Sequence, residues 1–106
     1  RLTLVTGVQT CALPICNNVT VVFEDMDFGE TGTTKITICG KSNLPMNTIH
    51  VRFNTENGDV NEVAEFAGAT EYTERTFTFD RITGKATVNF VFLPGCDFDF
   101  KWFRFE

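Results

Sequence analysis

Apolar and polar residues alternate with a period of two along most of this chain, and this pattern limits the folds that it can adopt. Alternate side chains of an extended strand point to opposite faces, so the pattern is typical of antiparallel strands with one buried face. Twelve phenylalanines supply bulky side chains for the buried side. The alternating runs span residues 19–23, 36–38, 49–53, 60–66, 77–79, 88–92 and 98–102. Seven such runs predict an all-β fold, an antiparallel β-sandwich or jelly roll.

Turn-forming residues separate these runs. Asn57-Gly58 is a strong hairpin signal between the third and fourth runs. Residues 40–47 and 68–74 are rich in turn-forming and polar residues, and we expect both segments to be loops. The second of these contains Tyr72, the only tyrosine in the chain.

The last run changes phase at Trp102-Phe103. Phe103 and Phe105 continue the apolar positions in the other register, which predicts a β-bulge at this point. Because Trp102 itself alternates with Phe98 and Phe100, we expect its side chain to lie in the core.

Residues 5–15 resemble the conceptual translation of a common short-read sequencing adapter. We therefore expect residues 1–16 to be foreign to the protein, and residues 17–106 to form one β-sandwich domain. A cleaved leader explains the segment less well, because Arg1 is its only basic residue and it has no clean small-residue cleavage site.

Charge and cysteine content exclude several classes of partner. The net charge is −5 at pH 7, whereas nucleic acids and anionic membranes bind surfaces rich in Lys and Arg, so we expect neither as a partner. No apolar run approaches the roughly 18 residues of a membrane span. Outside residues 1–16 the cysteines are Cys39 and Cys96. Buried free thiols are favoured, and a single bridge between the two is the alternative.

The final strand resembles a known family. Residues 98–105, Phe-Asp-Phe-Lys-Trp-Phe-Arg-Phe, are similar to the closing strand of family 6 carbohydrate-binding modules. The segment from Val22-Phe23 to Asp27-Phe28-Gly29 resembles the family's strand that ends in Asp-Phe-Gly. More closely, residues 17–106 resemble the C-terminal jelly-roll module of bacterial family 2 glycoside hydrolases of the β-galactosidase type. The resemblance implies a non-catalytic sugar-binding or accessory domain that lacks the module's opening strands.

The resemblance also implies a ligand and its contacts. The ligand would be a carbohydrate, a galactoside or β-glycan, and the protein partner would be the catalytic domain of the parent hydrolase. In the family an aromatic ring stacks on the sugar, and an Asn near the final strand hydrogen-bonds its hydroxyls. Tyr72 falls at the stacking position and Asp99 at the Asn position, so we assign Tyr72, Asp99 and Asp97 as carbohydrate-binding residues. The family's second stacking aromatic is absent here, which predicts weak affinity. The alternative is that Tyr72 only packs over the end of the sandwich.

Calcium is the cofactor that the family would suggest. Its structural calcium uses acidic residues on the first strands and the Asp beside the final Trp, and here Lys101 replaces that Asp. An ammonium beside a calcium ion would repel it, so we expect no cofactor and no metal.

Other functions account for fewer of these features. The i,i+2 carboxylate pairs Asp97/Asp99 and Asp25/Asp27 could suggest a glycosidase, but solvated acids lack the raised pKa of a catalytic acid, so we predict no enzyme activity for this chain. A purely structural interface domain is the main alternative, which an exposed apolar patch at Phe28, Phe66 or Met46 would favour. An immunoglobulin-like adhesion domain is weaker, because its Cys…Trp…Cys framework is missing.

Overall fold

The computed structural model describes residues 3–4, 8–15, 19–92 and 98–106. Almost all of these residues lie in β-strands, which confirms the predicted all-β class. The strands are β1 Thr3–Leu4, β2 Val8–Ile15, β3 Val19–Asp27, β4 Thr33–Thr55, β5 Gly58–Ile82, β6 Lys85–Phe92 and β7 Phe98–Phe105. Within the described part of the chain, no helix is long and apolar enough to cross a membrane.

Strand β4 belongs to both layers of the sandwich. Its residues 36–41 pair with β7, whereas its residues 49–55 pair with β6. Strand β5 follows β4 as an antiparallel partner through the same bend. One layer therefore has the order β2-β7-β4-β5 and the other β1-β3-β6-β4-β5. All pairings are antiparallel except that of β1 with β3.

The loops predicted at residues 40–47 and 68–74 are wrong, because both segments lie within continuous strands. The strands pass the bend through two register shifts, one on each side of the pair Ser42–Ala69. The glycines at the bend allow close packing. A Cβ on Gly40 would overlap the ring of Phe98, and one on Gly68 would overlap the carbonyl of Leu44. In these two segments, glycine therefore indicates a close contact within a bent strand and does not indicate a chain reversal.

Phenylalanine rings from both layers form the core. The ring centroids of Phe90 on β6 and Phe103 on β7 lie 4.7 Å apart, and Phe23 on β3 lies 4.8 Å from Phe103. These strands belong to opposite layers, so the contacts join the two sheets. Burial of each such ring contributes about 1.5–3 kcal/mol. The fully buried aromatic residues are Phe53, Phe66, Phe90, Phe92, Phe98, Phe100 and Phe103.

The predicted bulge in the last strand is confirmed. Phe100 pairs with Gly40 and Trp102 with Cys39, so Lys101 has no partner on β4. The extra residue changes the phase, which turns Phe103 and Phe105 into the core and leaves Trp102 on the outer face. The expected core position of Trp102 is therefore wrong. Its half-buried ring lies 5.6 Å from the guanidinium of Arg104.

The other local predictions have separate outcomes. Asn57-Gly58 lies at the tight hairpin between β4 and β5, as predicted, with Thr55 paired to Gly58. Cys39 is a buried free thiol, while Cys96 lies outside the described residues. Residues 8–15 pair with β7, and the foreign origin of residues 1–16 stays a prediction.

Candidate functional site

Tyr72 lies at the rim of the sandwich, where β4 and β5 bend from one layer to the other. The register of β5 against β4 shifts between Ala69 and Thr73, so the backbone at Tyr72 leaves the regular ladder. The side chain is 46% exposed. The ring is therefore partly accessible from solvent, and its role in sugar stacking stays a prediction.

Two lysine ammonium groups lie beside this ring. The Nζ atom of Lys41 is 4.7 Å from the ring centroid, and that of Lys101 is 4.8 Å from it. Lys41 comes from β4, and Lys101 is the bulge residue of β7. We call Tyr72, Lys41, Lys101 and Asp99 the Tyr72 cluster.

Asp99 joins this cluster through Lys41. The two residues are cross-strand partners on β4 and β7, and their side-chain charges lie 4.0 Å apart. Both side chains are more than a third exposed, so the ion pair contributes little to stability, on the order of 0–1 kcal/mol. The Lys41 ammonium thus lies 4.0 Å from the Asp99 carboxylate and 4.7 Å from the centre of the Tyr72 ring.

A polar pocket of about 170 Å³ lies next to the cluster. Its lining offers donors from Lys41, acceptors from Asp99, and both from the Asn43 amide and the Thr70 hydroxyl. A shallower groove of about 320 Å³ shares Asn43 and Thr70 and continues past Pro45. Both depressions result from the bend, because the residues inserted in β4 and β5 separate the two strands there.

Charges near the cluster are unevenly compensated. Among the residues that the structure describes, Lys41 has Asp99 as its carboxylate partner, whereas no carboxylate lies within 4.0 Å of the Lys101 ammonium. Beneath them, burial raises the pKa of the Cys39 thiol, the Lys101 ammonium lowers it in part, and Glu74 raises it. Cys39 is therefore a protonated structural thiol at neutral pH.

The structure thus brings together two of the three residues that the sequence suggested. Tyr72 and Asp99 meet through Lys41, and Asp97 lies outside the described residues. Sequence reasoning missed Lys41, Asn43 and Thr70. The sequence analysis assigned Lys41 to a loop, and only the pairing of β4 with β7 makes Lys41 the cross-strand partner of Asp99.

The opposite end of the sandwich has an open acidic depression. It is lined by Asp27, Glu30 and Glu56, with Lys85 beside them. The Asp27 carboxylate accepts a hydrogen bond from the backbone N–H of Gly29 at 2.9 Å. No group of three potential metal ligands occurs among the described residues. At the position that the family resemblance gives to a calcium-binding Asp, Lys101 contacts Tyr72, so the residues present do not fit a calcium site there.

Solved structures similar to this chain include family 6 carbohydrate-binding modules. A family 6 carbohydrate-binding module, studied by binding sub-site dissection, has a TM-score of 0.75 at 20% identity, covering 93% of this chain and 81% of that one. A module from Clostridium stercorarium in complex with cellobiose has a TM-score of 0.73 at 22% identity, with the same coverage. A family 6 module from Clostridium cellulolyticum in complex with xylose has a TM-score of 0.71 at 24% identity, covering 95% and 88%. At 20–24% sequence identity, this structural similarity shows that the chain has the same fold.

One part of a solved glycoside hydrolase also has a structure similar to this chain. The family 43 arabinoxylan arabinofuranohydrolase of Bacillus subtilis, in complex with cellotetraose, has a TM-score of 0.66 at 26% identity, covering 87% of this chain and 20% of that one. No family model and no curated protein matches the chain. The chain therefore has the β-sandwich fold of family 6 carbohydrate-binding modules.

Proposed function

We propose that this chain is a non-catalytic carbohydrate-binding module whose binding site is the Tyr72 cluster and the adjoining pocket. One observation carries the proposal: an exposed aromatic ring stands beside a small polar pocket at the rim of a fold shared with family 6 modules. A pyranose ring has an apolar C–H face and a rim of hydroxyls, so it needs this combination.

The side chains around the ring match the hydroxyls of a sugar. Each hydroxyl both donates and accepts, and the pocket supplies an acceptor in Asp99, a donor in Lys41 and an amide with both functions in Asn43. The pocket is small, and one aromatic side chain, Tyr72, lies beside its Lys41. We therefore expect dissociation constants in the millimolar range, about −4 kcal/mol of binding free energy.

The pocket does not favour catalysis. Glycoside hydrolysis by the usual route needs two carboxyl groups on either side of the scissile bond. Asp99 is the single carboxylate among the residues that line this pocket, and it lies near Lys41. This arrangement supports sugar binding and not glycoside hydrolysis.

The parent enzyme that we propose is a bacterial family 2 glycoside hydrolase of the β-galactosidase type. The tail from residue 92 to 106, Phe-Leu-Pro-Gly-x-x-Phe-Asp-Phe-Lys-Trp-Phe-Arg-Phe-Glu, suggests that parentage. The Bacillus subtilis hydrolase, of which the matching region is a fifth, is an example of a larger enzyme that contains such a fold. In this proposal the module holds a galactoside or β-glycan near the catalytic domain.

A purely structural interface domain has less support. Of the three residues expected to form its apolar patch, Phe28 and Phe66 are buried in the core, and only Met46 is exposed. A single exposed methionine does not make a patch of the size that marks a protein interface.

Titration with neutral sugars tests the proposal. Galactosides and β-glucan oligosaccharides are added to millimolar concentration while NMR signals of the chain are recorded. We expect shifts at Tyr72 and at the neighbouring Lys41 and Asp99. Tyr72→Leu, which keeps apolar volume but removes the flat ring, should weaken binding at least about tenfold. Val63→Ala, at another exposed apolar residue of β5, is the matched control. Signals of Tyr72 that stay unmoved with every sugar would refute the function.

A further inference from the structure

Two cations share one aromatic ring in the Tyr72 cluster. Two of the four lysines in the sequence lie beside the only tyrosine, although the chain carries a net charge of −5. Two ammonium groups near one ring repel each other, and Asp99 is the single carboxylate among the four residues of the Tyr72 cluster. These four residues therefore carry more positive than negative charge next to the ring.

That charge belongs to Lys101. Lys41 has the Asp99 carboxylate 4.0 Å away, whereas Lys101 lies at the bulge of β7, is exposed, and has no carboxylate within 4.0 Å among the described residues. The Lys101 ammonium lies over the face of the Tyr72 ring, 4.8 Å from the centroid. An exposed cation–π contact of this kind contributes only about 0.5–1 kcal/mol. A ligand can therefore displace Lys101 at little cost.

The chemistry of the ligand decides whether the Lys101 ammonium gains a new contact when it is displaced from the Tyr72 ring. A neutral sugar that stacks on Tyr72 moves an ammonium off the ring and replaces the contact with hydroxyl hydrogen bonds. A sugar that carries an oxyanion offers Lys101 a charge-assisted hydrogen bond at the edge of the same ring, which is roughly twice as strong as a neutral one. Asp99 repels an anion on the pocket side, so it directs the charged substituent toward Lys101.

We propose that the module prefers an anionic saccharide: a pyranose that stacks on Tyr72 and places one oxyanion against the Lys101 ammonium. This inference rests on the proposed sugar-binding function and names its ligand class. The oxyanion can be the carboxylate of a uronic acid or a sulfate ester, since Lys101 recognises the charge common to both.

Three oligosaccharides of equal length distinguish these cases: a neutral galactoside, an oligogalacturonate and a sulfated galactoside. Their affinities for the full chain are measured by NMR titration at low salt and at 0.15 M salt. We expect at least one anionic sugar to bind about three- to fivefold more tightly than the neutral one at low salt, with a smaller difference at 0.15 M. The two anionic arms identify which oxyanion is preferred.

Two variants attribute the preference to Lys101. Lys101→Gln should remove the advantage of the anionic sugar, so that the ratio of the anionic to the neutral affinity falls to about one. Lys85→Gln, which removes an exposed lysine at the opposite end of the sandwich, should keep the preference. Equal affinity for neutral and anionic sugars would overturn the inference and leave the sugar-binding function intact, as would a preference that survives Lys101→Gln. If no sugar of either kind binds, the proposed function and the inference both fail.

Discussion

The ammonium of Lys101 lies 4.8 Å from the centre of the Tyr72 ring, and Lys101 is the one residue inserted between two paired positions of β7. Phe100 before it and Trp102 after it both pair with β4. The insertion leaves Lys101 and Trp102 on the outer face and returns Phe103 to the core. The same bulge therefore exposes Lys101 at the proposed binding face and returns Phe103 to the core.

Deletion of Lys101 should leave the core rings of β7 in place. Phe100 and Trp102 already pair with the adjacent residues Gly40 and Cys39, so removal of the inserted residue leaves a regular strand in which Trp102 faces outward and Phe103 faces inward. We therefore expect the deletion to cost less than the roughly 3–5 kcal/mol that removal of a buried Phe ring costs. Lys101→Ala, an exposed substitution, should stay within about 0.5 kcal/mol of the original chain. Urea unfolding followed by circular dichroism measures both, and a deletion as damaging as the loss of a core ring would contradict the register of β7 against β4.

Phe103→Ala should be among the most damaging single substitutions. Its ring is fully buried and lies between those of Phe23 and Phe90 from the opposite layer. Removal of a buried Phe ring costs about 3–5 kcal/mol, from lost transfer free energy and the cavity left behind. Val22→Ala, at an exposed apolar position, is the control and should change little. Thermal denaturation of the two variants gives the comparison, and equal melting temperatures would show that these rings do not pack together.

Gly40→Ala should disturb the bend between the layers. A Cβ at this position meets the Phe98 ring and lies 2.8 Å from the carbonyl oxygen of Asp99, so the strands must separate. We expect a loss of about 1–3 kcal/mol, typical of overpacking. Gly84→Asn is the matched control. Gly84 has a φ of 72° but no neighbouring atom within 4 Å of the added Cβ, and Asn tolerates that φ better than other non-glycine residues. Denaturant titration should rank Gly40→Ala as the less stable variant.

The carboxyl group of Glu106 should titrate below the usual range of a glutamate. Hydrogen bonds from Arg104, at 3.2 Å, and from the hydroxyl of Thr37 lower the pKa of Glu106. Because the folded pKa is the lower one, the stabilising contribution is complete above the unfolded pKa and is lost as the pH falls through the folded pKa. NMR titration of the Glu106 side chain measures the midpoint. Arg104→Gln should move it upward, and a midpoint that does not respond would exclude Arg104 as the main cause.

A chain that starts at residue 17 should be less stable and more prone to associate than the full chain. In the structure, residues 8–15 cover one side of β7, and their removal exposes the backbone hydrogen-bonding groups of that strand. Unpaired strand edges promote association. Analytical ultracentrifugation and thermal denaturation of both chains test this. A monomeric short chain with a sharp, unchanged melt would mean that residues 8–15 add nothing to the fold.

Much of the fold could be predicted because strand periodicity is a local property. The alternation at residues 88–92 identified Phe90 and Phe92 as core residues, and both are fully buried. The change of phase at Trp102-Phe103 predicted the bulge, but not that Trp102 would lie on its outer side. The bend was missed at residues 40–47, because Gly and Pro have the same sequence signal in a bulged strand as in a loop.

The candidate site was predictable only in part. Tyr72 and Asp99 were identified from the family resemblance, and Tyr72 is indeed exposed at the rim. Lys41 and Lys101 could not be placed beside Tyr72 from the sequence. Their positions depend on which strand pairs with which, and the pairing of β4 with β7 joins segments that are far apart in the chain.

In the regular stretches of strand, such as residues 88–92, the sequence by itself determined which side chains face inward, since the direction of a side chain in a strand follows from its neighbours along the chain. Only the tertiary structure decided where β4 and β5 leave one layer for the other, and so which polar residues meet at the rim. The bend needs close contacts at Gly40 and Gly68, and these contacts exist only once the two layers pack on each other. The juxtaposition of Tyr72, Lys41 and Asp99 is therefore a consequence of packing and register, which no local pattern encodes.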